Sequence, residues 1–369
     1  MKKTLGILVI ILSLNALNAQ TNYLTWNDVE TVQFGKDVLF KDKDNKMLNG
    51  QYKIAENSGA YTEITFNQGK VVGERKGYDS EGNLIIESFY KDGKPDGAVK
   101  EYYTDGTLSS EQHYSNGEKD GTFKVYSKKG LVRTTEQYKK GKKTGKWVEV
   151  LDNPRYGMTT TTTEFYKDNK PTGTWTEINE ENQVIWEKKY TAPKDYIKKE
   201  YYPNKQLKTK KAFADNKLQG VSEYYNQDGI LLYKITYNKD NMLDKTRYYE
   251  NGNIKEKVAY KFNMKSGLCQ YFTDKGIKKR EGTYKNGYKD GVWSYYDYDD
   301  GELDYTMTYR NDIRNGLSKT YNEAGRVASE GMYKNDEKDG LWKVYKLNGK
   351  LKKEVEYKLG KMISEKEYK

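Results

Sequence analysis

The chain has 369 residues, of which only 35% are hydrophobic even with tyrosine counted, with a mean hydropathy of -1.06 and a formal charge of +11. That length ordinarily suggests two or three globular domains, yet the Leu, Ile and Val for thick cores are missing, and 36 Tyr stand against 9 Phe. So many aromatics and evenly placed glycines also exclude disorder, leaving a thin, repetitive structure in which amphipathic rings pack on their neighbours and keep a polar end in water.

Residues 1–19 have a composition of their own. Lys2 and Lys3 precede an apolar run from Leu5 to Leu14, and small and polar residues lead to Ala19 before Gln20. This pattern predicts a secretory signal peptide. The apolar run is too short for a bilayer span of roughly 20 residues, and no other segment is apolar enough. No cysteine follows the run, which argues against a lipoprotein anchor. The protein is thus expected to be exported to a periplasm, a cell surface or the medium. Cys269, the single cysteine, rules out an internal disulfide framework there. The basic and acidic residues interleave along the chain and describe a solvated surface, so a nucleic-acid partner is not expected.

Residues 20–49 fit no repeat and are expected to cap the N-terminal end. From residue 50 to 363 the chain is periodic. Gly50, Gly73, Gly97, Gly121 and Gly145 recur every 23 or 24 residues, and the series resumes at Gly220, Gly267, Gly291, Gly316 and Gly340, with Asp244 at an equivalent place. A second ladder runs Phe66, Tyr90, Tyr114, Tyr138, Tyr166, Tyr190, Phe213, Tyr237, Tyr260, Tyr284, Tyr309, Tyr333 and Tyr357, at steps of 23 to 25 apart from one of 28. A third lies five residues after the glycines and includes Tyr78, Tyr102, Tyr296 and Tyr345. Such a period means stacked units rather than separate domains.

Three residues after the ladder Tyr stand residues that tolerate positive φ, such as Gly69, Asn263, Asp312 and Gly360, and a further glycine lies between the aromatic ladders. Each unit therefore reads strand, tight turn, strand, tight turn. The fold class is all-β: an elongated antiparallel β-meander of about thirteen hairpin repeats, on the order of 120 Å long at about 4.8 Å per strand. Two departures stand out. An insertion of about four residues falls in 152–163, and near residues 191–197 Ile197 replaces the glycine and Pro193 occupies a turn site, where a kink is expected. Ser364–Lys369 reads as a charged closing strand that discourages edge pairing.

Asp339–Leu351, followed by Glu356–Lys361, resembles the variant MORN repeat found in many bacterial proteins; Asp290–Gly301 and Asp120–Gly130 match nearly as well. Choline-binding and YD-type repeats share the Gly and aromatic content, but the spacing Gly-x-Trp-x-x-Tyr-x-x-x-Gly-x-Leu fits the MORN variant better. The resemblance implies an open sheet, a binding or scaffolding role and no reaction. It also implies a second reading, an antitoxin or immunity-like protein, since some bacterial members are antitoxin-like.

No catalytic residue, metal site or cofactor is expected. His113 sits at a position that varies between units, Cys269 fills a slot held elsewhere by Trp, and Asp96, Asp120, Asp290 and Asp339 precede glycines, where turn geometry accounts for them. The candidate ligand-binding residues are the rings two places after the glycines: Phe123, Trp147, Trp175, Trp293 and Trp342. Exposed in rows, they would stack on sugars or grip a partner protein; the alternative is a packing rung. By period-2 alternation they lie on the opposite face from the third ladder. The expected partner is a protein or an envelope glycan, with a lipid headgroup held by turn lysines as a further reading.

Overall fold

The computed structural model describes residues 21–153 and 157–369. The expected signal peptide and the tip of the inserted loop lie outside these. The described residues form two compact units, one of residues 21–151 with 166–169, the other of residues 152–153, 157–165 and 170–369. Both are open antiparallel meanders in which sequence neighbours pair, as a repeat of strands and tight turns dictates.

The first unit begins with strand Asn22–Thr25, which pairs in parallel with Gly50–Ala55. A 3-10 turn at Trp26–Asp28 and the hairpin Val29–Phe34/Asp37–Asp42 follow. This segment lays Leu24, Trp26, Val29 and Phe40 on a core of Leu48, Ile54, Ile64, Phe66 and Val71. It is also tied by backbone: Phe40 N–H donates to the Gly69 carbonyl and Gly69 N–H to that of Leu48, both at 2.8 Å. In the second unit the final strand, Lys361–Glu367, pairs along Leu351–Lys358 and is exposed throughout.

The turn after the ladder Tyr is a two-residue loop with both residues at positive φ, for example Asn311 at 52° and Asp312 at 67°. This type I′ geometry matches the strand twist. Its second residue also joins consecutive hairpins. The N–H of Gly287, Asp312, Asp336 and Gly360 donates to the carbonyl of Lys265, Lys289, Arg314 and Lys338 respectively, at 2.8 to 3.0 Å.

The periodic glycine is the site of a bulge. Tyr309 pairs with Arg314 but Met307 with Ser318, so the second strand holds two residues more than its partner over that step. Gly316, at φ +130°, supplies the backbone that does this. Where glycine is absent the bulge shrinks. Thr236 pairs with Asp244 and Tyr237 with Met242, one residue extra, while Tyr190 to Trp186 pair with Tyr196 to Glu200 with none. These are the two ladder steps of 23 residues, 190 to 213 and 237 to 260. At residues 191–197, where a kink is expected, the register shifts beside the turn, between Tyr190 and Ala192, with Pro193 and Lys194 forming the turn.

Candidate binding faces

Trp147, Trp175, Trp293 and Trp342 do not stand exposed. Their relative exposures are 8, 8, 0 and 6%. Each Nε1–H donates to the carbonyl of the residue ten places earlier, Gln137, Phe165, Thr283 or Met332, at 3.0 to 3.2 Å. Those are the residues just before the ladder tyrosines, at the bulge, where the carbonyl has a lone pair to spare.

Ring contacts complete the rung. Trp293 lies 5.2 and 6.3 Å from Tyr284 and Tyr309, edge-on to both, and Trp342 lies 5.3 and 6.2 Å from Tyr333 and Tyr357 in the same way. Beneath these two indoles are Gly282 and Gly331. Above them lie the ammonium groups of Lys289 and Lys338, at 4.5 and 4.2 Å from the ring centroids. Lys143 covers Trp147 at 4.1 Å and Lys119 covers the half-buried Phe123 at 4.9 Å. A ring held between backbone and ammonium has no free face for a sugar to stack on. Of the two sequence readings of these rings, an exposed binding row and a packing rung, the burial of the four tryptophans matches the packing rung and not the exposed row.

Cys269 belongs to the same row. It is fully buried against Val258 and Trp293, its thiol donates to the Gly282 carbonyl at 3.4 Å, and burial pushes its pKa up to about 11. A thiol so placed packs rather than reacts. His113 is exposed, its Nδ1 3.1 Å from the Thr122 carbonyl. Among the described residues, no three His, Cys, Asp or Glu side chains gather as a metal would need.

The outer face carries two rows that the sequence reading did not single out. The first is ionic. Register places Lys53, Glu63, Lys76, Glu87, Lys100, Glu111 and Lys124 side by side on seven successive strands of the first unit. The second unit ends likewise with Lys319, Glu330, Lys343, Glu354 and Lys366. The third-ladder tyrosines serve this row. Tyr102, Tyr296 and Tyr345 donate to Glu87, Glu281 and Glu330, each fifteen residues earlier, at 2.6 to 2.8 Å. Burial first, and then the carboxylate beside it, pushes each of these tyrosines up to about 12.

The second outer row is apolar and exposed. Val221, Leu268, Val292, Leu317 and Leu341 immediately follow the bulge glycines, and Met332 pairs with Leu317. Their exposures run from 41 to 57%. Threonines 236, 283 and 308 interleave with them across the strands.

Fold and faces define an all-β protein of stacked hairpins whose inner face is closed by its own rings. The family follows from the matched residues: 71–92, 95–116, 218–239, 244–262, 314–335 and 338–359 each match the MORN repeat variant. The chain carries six repeats of this MORN variant. Each matched stretch begins at or near one type I′ turn and runs to the next, as in Arg314–Asn335. No curated protein matches the chain. Repeats of this family are generally non-catalytic and suggest a repeat-based binding or scaffold protein.

Proposed function

We propose that this protein is a non-enzymatic scaffold of the bacterial envelope or cell surface that holds a partner protein along the outer face of its repeats. The outer apolar row carries this reading. Six aliphatic and thioether side chains lie half-exposed on a regular sheet face, at positions that in other repeats hold polar residues such as Glu74, Thr122 and Lys146. Monomeric proteins rarely leave such rows in water without a use for them. The interleaved threonines and flanking Lys–Glu row supply the polar rim that such contacts use. Export is supported by the basic start, apolar run and Ala19 of the N-terminal sequence.

Site-specific photocrosslinking tests the proposal. A photoreactive residue at Leu317 or Leu341, in cells of the native host, is expected to capture one discrete protein outside the cytoplasm. The same group at Lys285, outside the row, is expected to capture none. Equal labelling from all three positions, or capture only of cytoplasmic proteins, overturns it.

A further inference from the structure

On the inner face, a file of alternating rings and cations crosses the second unit. Tyr260 pairs with Lys265, Tyr284 with Lys289, Tyr309 with Arg314 and Tyr333 with Lys338. Each cation then leans over the ladder ring of the next hairpin. Lys265 lies 5.1 Å from Tyr284, Lys289 4.6 Å from Tyr309, Arg314 4.6 Å from Tyr333 and Lys338 5.0 Å from Tyr357. The file is a consequence of the repeat: each cation stands two residues after the type I′ turn, and the bulge holds its side chain on the inner face.

Among the described residues, Arg314 alone of these four is ion-paired, to Asp336 at 3.1 Å. Asp312 is the other carboxylate at the turns, and it accepts from the backbone N–H of Lys289. Among the described residues the other three, Lys265, Lys289 and Lys338, face rings and make no ion pair, an arrangement that leaves their charge available to a further anion. The four cations stand one hairpin apart, about 10 Å at two strand widths each, with the ion-paired Arg314 between Lys289 and Lys338. The rings between them present hydroxyls, as in the Tyr295–Tyr309 pair at 3.1 Å, beside which Lys289 donates to Tyr295 at 3.0 Å.

We infer that this file binds a linear acidic polysaccharide, one carrying a carboxylate or sulfate on each disaccharide. Charge complementarity selects an anion, and the regular interval selects a polymer. An extended acidic peptide places same-face side chains about 6.7 Å apart, out of step with the file. A polymer charged once per disaccharide has its anions at an interval close to that of the hairpins, and its sugar hydroxyls meet the tyrosine hydroxyls between them. The inference rests on the reading of the array as a binding scaffold, but not on the outer apolar row.

The test uses the purified full chain and immobilised hyaluronan, with neutral dextran, poly-thymidylate and polyglutamate as comparison probes. The variant Lys265→Met/Lys289→Met/Lys338→Met keeps the aliphatic stems over the rings and removes three charges. Lys285→Met/Lys334→Met/Lys358→Met removes the same charge from the exposed outer edge. The inner variant is expected to bind hyaluronan at least about tenfold more weakly, as the loss of charge-assisted contacts implies, and the outer one within about twofold of the wild type. Lys289→Arg/Lys338→Arg, which keeps the charge, is expected to retain binding and guards against a folding defect in the Met variant. Equal loss in both Met variants, or preference for poly-thymidylate or polyglutamate, overturns the inference. Failure on hyaluronan with crosslinking from Leu317 intact overturns the glycan assignment and leaves the protein scaffold standing.

Discussion

Gly331 lies under the indole of Trp342 so closely that a Cβ on the glycine would come within 2.2 Å of the ring atom Cδ2. Gly282 bears the same relation to Trp293, at 2.4 Å. Neither glycine is at positive φ, so each is required for space and not for backbone freedom. Gly331→Ala is expected to destabilise the fold by ~1–3 kcal/mol through overpacking. In a Trp342→Leu background, the same change is expected to cost much less. Chemical denaturation of the four proteins of this cycle checks it, and additive costs would contradict the packing account.

The N-terminal segment has its own fastening. At Gly69, φ is +76°, and a Cβ would meet the Phe40 carbonyl at 2.9 Å and the Met47 sulfur at 3.0 Å. Gly69→Val is expected to lift residues 21–49 from the first repeat and leave later hairpins intact. Limited proteolysis should then cut within 21–49 faster than in the wild type, with the remaining cuts unchanged.

The ionic row responds to charge reversal. Glu87 stands between Lys76 and Lys100, with Lys100 at 3.0 Å, and hydrogen bonds from Lys100 and Tyr102 hold its carboxyl below the usual range. Glu87→Lys places three like charges side by side and removes the Tyr102 acceptor. A loss of ~1–2 kcal/mol is expected, smaller at high salt, where the repulsion is screened. Thermal melts at two ionic strengths measure it.

Acid should find a specific weak point at Glu281. Burial pushes this carboxyl up, but hydrogen bonds from Gln270, Tyr296 and Lys278 outweigh burial and hold it down at about 2. A folded pKa below the unfolded value gives stability that is present above the unfolded pKa, near 4.5, and is lost as pH falls towards 2. Glu281→Gln is therefore expected to reduce stability at neutral pH and to flatten its fall between about pH 5 and 2. Stability curves for both proteins over that interval test the sign.

Much of this fold can be read from spacing alone. The ladder tyrosines, the bulge glycines and the Gly, Asn or Asp of each turn have strong local preferences, so strands and turns follow without knowledge of contacts. Register is different, because it depends on how many residues each bulge absorbs. That number was readable in the two short steps around Ile197 and Asp244, but only once the bulge is known. The Lys–Glu row stayed hidden for this reason: Glu87 and Lys100 are neighbours only in register.

The candidate site was less legible. Alternation put the tryptophans on one face, but it does not say that the face is filled. A signal was present in Gly282 and Gly331, each eleven residues before its tryptophan, a vacancy of side-chain volume that a large ring fills. The outer apolar row was equally visible, since Leu268, Val292, Leu317 and Leu341 all directly follow bulge glycines. Phe262 and Leu359 mark the opposite case. Both adopt positive φ, at 51° and 48°, because the type I′ turn imposes it on whatever residue occupies its first position.

Hydrogen exchange of the indole Nε1 protons, followed by NMR with each tryptophan assigned by substitution, tests most directly whether these rings are rungs of the repeat. The protons of Trp147, Trp175, Trp293 and Trp342, bonded to backbone carbonyls in buried rungs, are expected to exchange only when their hairpins open, and so to slow as the protein is stabilised. Exchange at the rate of a free indole at Trp293 and Trp342 in the folded protein would contradict the packed inner face and return these rings to the surface as ligand contacts.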